Sequence, residues 1–115
     1  MAVNLKELFG TQRSSSRERI DDEVRFSSYD GCKTVCFKLD EIVEVDFDGF
    51  LISYADLNFF TKLPNLQRLT LCVRGLDPDN VDQYICRLQL DTLRISGYWH
   101  SISQLEKRFR VVETY

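Results

Sequence analysis

A nucleophilic or metal site in this chain would have to be built from a single histidine, His100, and four cysteines, Cys32, Cys36, Cys72 and Cys86. His100 is followed by Ser101 and Ser103, but a catalytic triad also needs a carboxylate that orients the imidazole and a serine held on a strained turn. Ser101 reads as a helix cap, and neither serine stands in a nucleophile-elbow pattern. Glycine-rich phosphate loops are absent, because Gly75 and Gly97 stand singly at turns. A zinc site needs four converging ligands. In the strand register argued below, Cys32, Cys36 and Cys72 point to one side of the sheet and Cys86 lies on a helix across the core, so the four read as free thiols acting as small apolar fillers. With an apolar fraction of 43% the chain has no need of disulfide staples, and nothing in it suggests secretion. The expectation is a protein that is not an enzyme and holds no cofactor and no metal.

Binding is the chemistry that the remaining polar residues can do. Glu44, Arg68 and Thr92 stand at one constant spacing, as do Asp46, Thr70 and Arg94, and as do Asp48, Cys72 and Ser96. Stacked in parallel strands, these rows make one surface, acidic at the first strand and basic toward Arg68, Arg94 and Arg74. Each opposite-charge pair taken singly is a small structural contribution, well under ~1 kcal/mol when exposed. The face as a whole is the candidate partner-binding surface. Tyr98 and Trp99 form a second candidate, because two large aromatics in a turn either anchor a partner or fold back over the third repeat as a lid. Val111 and Tyr115, at an end of the core with no capping unit in sight, complete the set.

That surface exists only if three short strands stack. The frame Leu66-x-x-Leu69-x-Leu71 recurs at that same spacing on both sides, earlier as Ile42-x-x-Val45-x-Phe47 and later as Leu90-x-x-Leu93-x-Ile95. An apolar residue follows fifteen positions after each frame begins, at Leu57, Val81 and Leu105. Four columns at one period predict a strand and a helix per unit, none of which buries its apolar face alone. The first helix is expected from Tyr54 to Leu63 with Ser53 as N-cap and Pro64 ending it. The second starts at Asp77-Pro78, cap then first-turn proline, with Val81, Tyr84, Ile85 and Leu88 inward. The third carries Ile102, Leu105 and Phe109 after the Ser101 cap, and Val111 and Val112 begin a last short strand.

The L-x-x-L-x-L frame followed by a helix resembles the leucine-rich repeat, over roughly residues 41–115, with Leu63-Pro-Asn-Leu66-Gln-Arg-Leu69-Thr-Leu71 the best match. It is similar to the degenerate repeats of F-box-type substrate adaptors, although no F-box is found in residues 1–40. The resemblance implies an α/β fold, a short β/α solenoid of about three 24-residue repeats (41–64, 65–88, 89–115), and a protein-interaction role as an adaptor or regulatory subunit. The family's asparagine ladder would fall at Phe50, Arg74 and Tyr98, so those backbone bonds must be made in another way.

Ahead of the repeats, two alternating runs, Val24 to Tyr29 and Lys33 to Leu39, meet at Asp30-Gly31, a hairpin turn signal. Pairing Tyr29 with Cys32 sets Phe26 opposite Val35 and Val24 opposite Phe37, all on one face. This hairpin, residues 23–39, is expected to cap the first repeat. Residues 3–9 allow a short helical turn ending at Gly10. Residues 1–20 as a whole read as a flexible arm, since Thr11 to Arg19 is polar and without periodicity. The arginine-flanked serines in it are candidates for phosphorylation.

At 115 residues and a formal net charge of −3, the chain is one domain, 21–115 beyond the arm, with no field to gather nucleic acid or anionic membrane over its whole surface. No apolar run reaches membrane-spanning length and no signal peptide is seen. The expected setting is intracellular, cytoplasmic or nuclear. The expected partner is a protein or a second copy of the chain, with nucleic acid on Arg68, Arg74, Arg94, Tyr98 and Trp99 as the alternative.

Overall fold

The computed structural model describes residues 1–10, 15–28, 30–50, 52–98 and 102–115, with the backbone alone at 15 and 16. Its centre is a parallel sheet that follows the spacing of the repeated frame. Strands β5 (Glu44–Asp46), β6 (Arg68–Cys72) and β7 (Thr92–Ser96) lie side by side, with Val45, Leu69 and Leu93 in one register row. All twelve apolar residues of the four sequence columns are buried. Backbone bonds carry the same period between the first three strands: Gln67 donates to Val43 at 2.8 Å and Asp91 to Gln67 at 2.9 Å. Val111 continues the pattern, donating to Asp91 at 3.0 Å.

Between the strands run α2 (Tyr54–Phe60), α3 (Pro78–Ile85) and α4 (Ser103–Arg108). Their starts follow local chemistry. Ser53 and Asp56 form a capping box on α2, and Asp77 accepts from the Asp79 amide at 3.0 Å with Pro78 in the first turn of α3. Thr61 caps the C-terminal end of α2, which closes at Phe60 rather than at Leu63. Leu57, Phe60, Val81, Ile85 and Leu105 pack with the inward strand residues in one cluster, which places these helices on one face of the sheet and leaves the other, open face without a described helix. Tyr54 ties α2 to α3, accepting the Asp77 amide at 2.8 Å and stacking on Tyr84. The Ser101 cap expected for α4 lies outside the described residues.

The sheet has two further strands. β8 (Val111–Thr114) adds beyond β7, as the sequence suggested at Val111 and Val112. On the other side β1 (Ala2–Asn4) pairs in parallel with β5, Val3 opposite Val45, giving the order β1-β5-β6-β7-β8. Helix α1 (Leu5–Phe9) follows it and stops at Gly10, whose amide bonds to Lys6.

Among the described residues, 1–10 and 15–20 are therefore not the flexible arm expected over 1–20, while 11–14 lie outside the described residues. Val3, Leu5 and Phe9 are in the core. Residues 15–20 form β2 (Ser15–Ile20), antiparallel to β3 (Glu23–Ser28), which pairs with β4 (Thr34–Lys38). A polar run makes a strand here because its inward position opposite Phe26 is taken by Arg17, which lies over the Phe47 ring and is paired with the Asp56 carboxylate, both side chains largely buried. Asp56 also accepts the Ser53 amide at 2.8 Å, so one carboxylate caps α2 and anchors β2.

The hairpin register is as expected, Val24 opposite Phe37 and Phe26 opposite Val35. Gly31, at φ 74°, donates to the Ser28 carbonyl at 2.9 Å, and the Ser28 amide donates to the Lys33 carbonyl at 2.8 Å. The Tyr29–Cys32 pair itself lies outside the described residues. The Ser28 hydroxyl and the Cys32 amide both donate to Asp30, holding its carboxyl below the usual range. The hairpin does not close the edge of β5, which β1 occupies. It lays Phe26 edge-on against Phe47 and Phe59.

Candidate interaction face

Side chains alternate along each strand, so burying Val45, Leu69, Leu71, Leu93 and Ile95 turns the residues between them to the open face. The register then brings together the rows expected from the sequence and extends two of them by a residue of β8: Glu44, Arg68, Thr92 and Val111; Asp46, Thr70, Arg94 and Glu113; Cys72 and Ser96. Arg68 bonds to Glu44 at 3.3 Å, and Arg94 bonds to Glu113 at 3.1 Å. All four groups are substantially exposed, so each pair contributes only a few tenths of a kcal/mol and fixes orientation more than stability. Thr70, in the middle, is buried.

Tyr115 lies across this face. The Arg94 guanidinium sits 5.2 Å from its ring centre. Burial pushes its phenol up from the ordinary value, against the opposing effect of a hydrogen bond with Ser96, while Asp48, Cys72 and Asp46 add to the upward push.

At the carboxyl ends of the strands the face runs into a groove of about 470 Å³ lined by Asp48, Phe50, Ile52, Cys72, Arg74 and Ser96. Asp48 is set by its own amide, which donates to Asp46 at 2.8 Å. Arg74 is set by close packing. Gly97, at φ 72°, leaves no room for a Cβ, which would stand 2.6 Å from the Arg74 nitrogen, so the turn after β7 rests directly on the turn after β6.

Glu44, Asp46, Arg68, Thr70, Arg94, Val111 and Tyr115 thus share one face, with Asp48 and Arg74 at its rim. Tyr98 does not join them. It is on the helix side, its hydroxyl donating to Asp82 of α3 and its ring half-buried against the core, which is the folded-back arrangement of the two the sequence left open. Burial first, then Asp82, pushes its phenol well above the ordinary value. Trp99 and His100 lie outside the described residues.

Glu113 is a member of the face that the repeat spacing does not reveal, because β8 follows β7 at a shorter interval, Thr92 opposite Val111, and falls off the period. The alternation around Val111 and Glu113 is its one signal in the sequence.

The cysteines are placed differently from the sequence expectation. Cys32 and Cys36 belong to the antiparallel hairpin and Cys72 to the parallel sheet, and all four are free thiols. Among the described residues no three His, Cys, Asp or Glu side chains are grouped to hold a metal, and no helix is long and apolar enough to cross a membrane. What the face offers is paired charge, hydroxyls at Thr92 and Ser96, and one aromatic ring. No protein-family model, no curated protein and no solved structure matches this chain.

Proposed function

We propose that the chain is a short leucine-rich-repeat-like β/α solenoid serving as a protein-interaction module, an adaptor or regulatory subunit that takes its partner on the open face of the parallel sheet. The observation that carries this reading is the face itself: register rows of paired charge and hydroxyls, crossed among the described residues by Tyr115 alone, backed by twelve buried residues at one period. Such stacked units bind through the surface their strands present. At the place of the family's ladder asparagine the first turn is closed by Phe50, which is buried and donates its amide to Phe47 at 2.9 Å. The repeat is thereby degenerate but continuous. The intracellular setting and the non-enzymatic role belong to the same proposal.

Nucleic-acid binding loses ground. Arg68 and Arg94 are each held by a carboxylate, and Tyr98, needed for base stacking, is on the other side of the sheet. The test is affinity capture from cell extract with the wild-type chain and with Arg68→Glu and Arg74→Glu. A protein captured by the wild type and lost by both variants, with a shallow dependence on salt, supports the reading. Steep salt dependence with co-purifying nucleic acid favours the alternative, and capture unaffected by either variant removes the face as the site.

A further inference from the structure

The core-facing row of the sheet is sealed at one end only. Val3, Val45, Leu69 and Leu93 are at 1% exposure or less, whereas Val112, the next member, is half-buried. The backbone of β8 is open on the same side. Val111 gives its amide to Asp91 at 3.0 Å, and the alternation of a parallel ladder turns Glu113 the same way, toward β7. The amide and carbonyl groups of Val112 and Thr114 therefore project from the outer edge, where no described strand meets them.

Edges of this kind are normally blunted by proline, lysine or a bulge. β8 reads Val-Val-Glu-Thr, and its one charge is engaged by Arg94. Val111 is 37% exposed on the open face beside it.

We propose that the outer edge of β8 takes an extended segment of a partner protein as a sixth strand. The side chains define its pattern. Apolar residues lie opposite Val111, on the open face, and opposite Val112, over the unsealed core. A lysine or arginine lies opposite Glu113, because the row Asp46, Thr70, Arg94, Glu113 ends on a carboxylate and an opposite charge is its favourable cross-strand neighbour. Backbone bonds supply affinity and the alternate side chains supply selectivity. A second copy of the chain fits less well. Antiparallel pairing of β8 about a two-fold axis must match residues of the same face, and the register that sets Val112 against Val112 sets Val111 against the other copy's Glu113, an apolar group against a charge. The proposal rests on the reading of the chain as an interaction module and adds the mode of binding and the partner's sequence pattern.

The test uses the full chain and a fluorescein-labelled synthetic peptide with a central Val-Val-Lys in a threonine-rich extended sequence, read by fluorescence polarisation. Binding should weaken about tenfold or more, ~1.4 kcal/mol, when the lysine is replaced by glutamate, and Glu113→Lys in the protein should reverse that preference. Of two peptides N-methylated on alternate amides, only one should still bind. Thr114→Pro removes an outward amide and no bond to β7, so it should weaken binding to the same extent while circular dichroism and melting stay as in the wild type. Equal binding of the two charge forms, retention of binding by both methylated peptides, wild-type binding by Thr114→Pro, or no binding of any peptide at millimolar concentration each overturn the proposal. A concentration-dependent dimer that Thr114→Pro dissolves overturns it in favour of self-pairing. A natural partner lost by Arg74→Glu but kept by Thr114→Pro refutes the edge and leaves the interaction reading standing, whereas a partner kept by both refutes the two together.

Discussion

Deleting residues 1–20 should unfold the domain or bring it close to unfolding. The deletion removes β1 from the edge of the parallel sheet and takes Val3, Leu5 and Phe9 out of the core, where none is more than 7% exposed. Full burial of such side chains is worth about 1.5–3 kcal/mol each. The three together contribute roughly 4–8 kcal/mol once the compactness of the unfolded chain is allowed for. Loss of β2 adds to this by removing Arg17 and leaving the Asp56 carboxylate, at 6% exposure, with only its Ser53 contacts. A domain of this size has about 5–15 kcal/mol to lose. Thermal melting by circular dichroism and urea unfolding of a 21–115 chain beside the full chain measure the difference, with Val3→Ala and Leu5→Ala as milder versions for the case in which the short chain fails to fold. A short chain whose melting temperature falls by less than about 4 °C, equivalent to ~1 kcal/mol or less, would refute the docking of β1 and β2.

Four other outcomes are expected. Leu69→Ala, at the centre of the middle strand, should cost roughly 2–5 kcal/mol in urea unfolding, while Arg68→Ala stays within about 0.5 kcal/mol because its ion pair is exposed. Gly97→Ala should be worse than Gly75→Ala: both sit at positive φ, worth about 1–2 kcal/mol, but only Gly97 adds a clash with Arg74, a further ~1–3 kcal/mol. Arg17→Met should cost about 3 kcal/mol or more by stranding Asp56, and a double-mutant cycle with Asp56→Asn should return a coupling above about 1 kcal/mol. Tyr98 keeps its proton in the folded chain at a pH where the unfolded chain releases it. Its contribution is therefore complete below about pH 10, and is lost as pH rises beyond that. Unfolding titrations across alkaline pH should show a shallower decline in Tyr98→Phe, and near-neutral pH should show a loss of about 1 kcal/mol from the missing bond to Asp82.

What could be read from the sequence was whatever repeats in residue type. Leu66, Leu69 and Leu71 have apolar counterparts one period away on both sides, so the frame exposed the sheet register, and the register in turn exposed Glu44, Arg68, Thr70 and Arg94 as neighbours. The hairpin register was legible because turn and alternation agreed. β1 was not: Val3-Asn4-Leu5 is too short a frame to stand out, and its partner Glu44–Asp46 lies far along the chain. β2 was hidden because its inward residue is an arginine, whose burial makes sense only once Asp56 is known to wait across the gap. The direction taken by Tyr98 was equally hidden, since the acceptor that draws it to the helix side, Asp82, belongs to a different element.

The late return of the chain to β1 bears on the order in which the sheet assembles. β5 to β6 and β6 to β7 each close over a single repeat, but Ala2 meets Glu44 only after the whole antiparallel sheet has been traversed. Loop-closure entropy grows so slowly with length that the extra separation costs only about 0.5 kcal/mol. Timing is another matter. Val3 and Leu5 leave the ribosome ahead of the strands they pack on, and they must wait uncovered until β5 exists to receive them. The same arithmetic makes the segment between α1 and β5 a tolerant point of insertion: an entire small sheet is accommodated there without disturbing the spacing of the strands that follow.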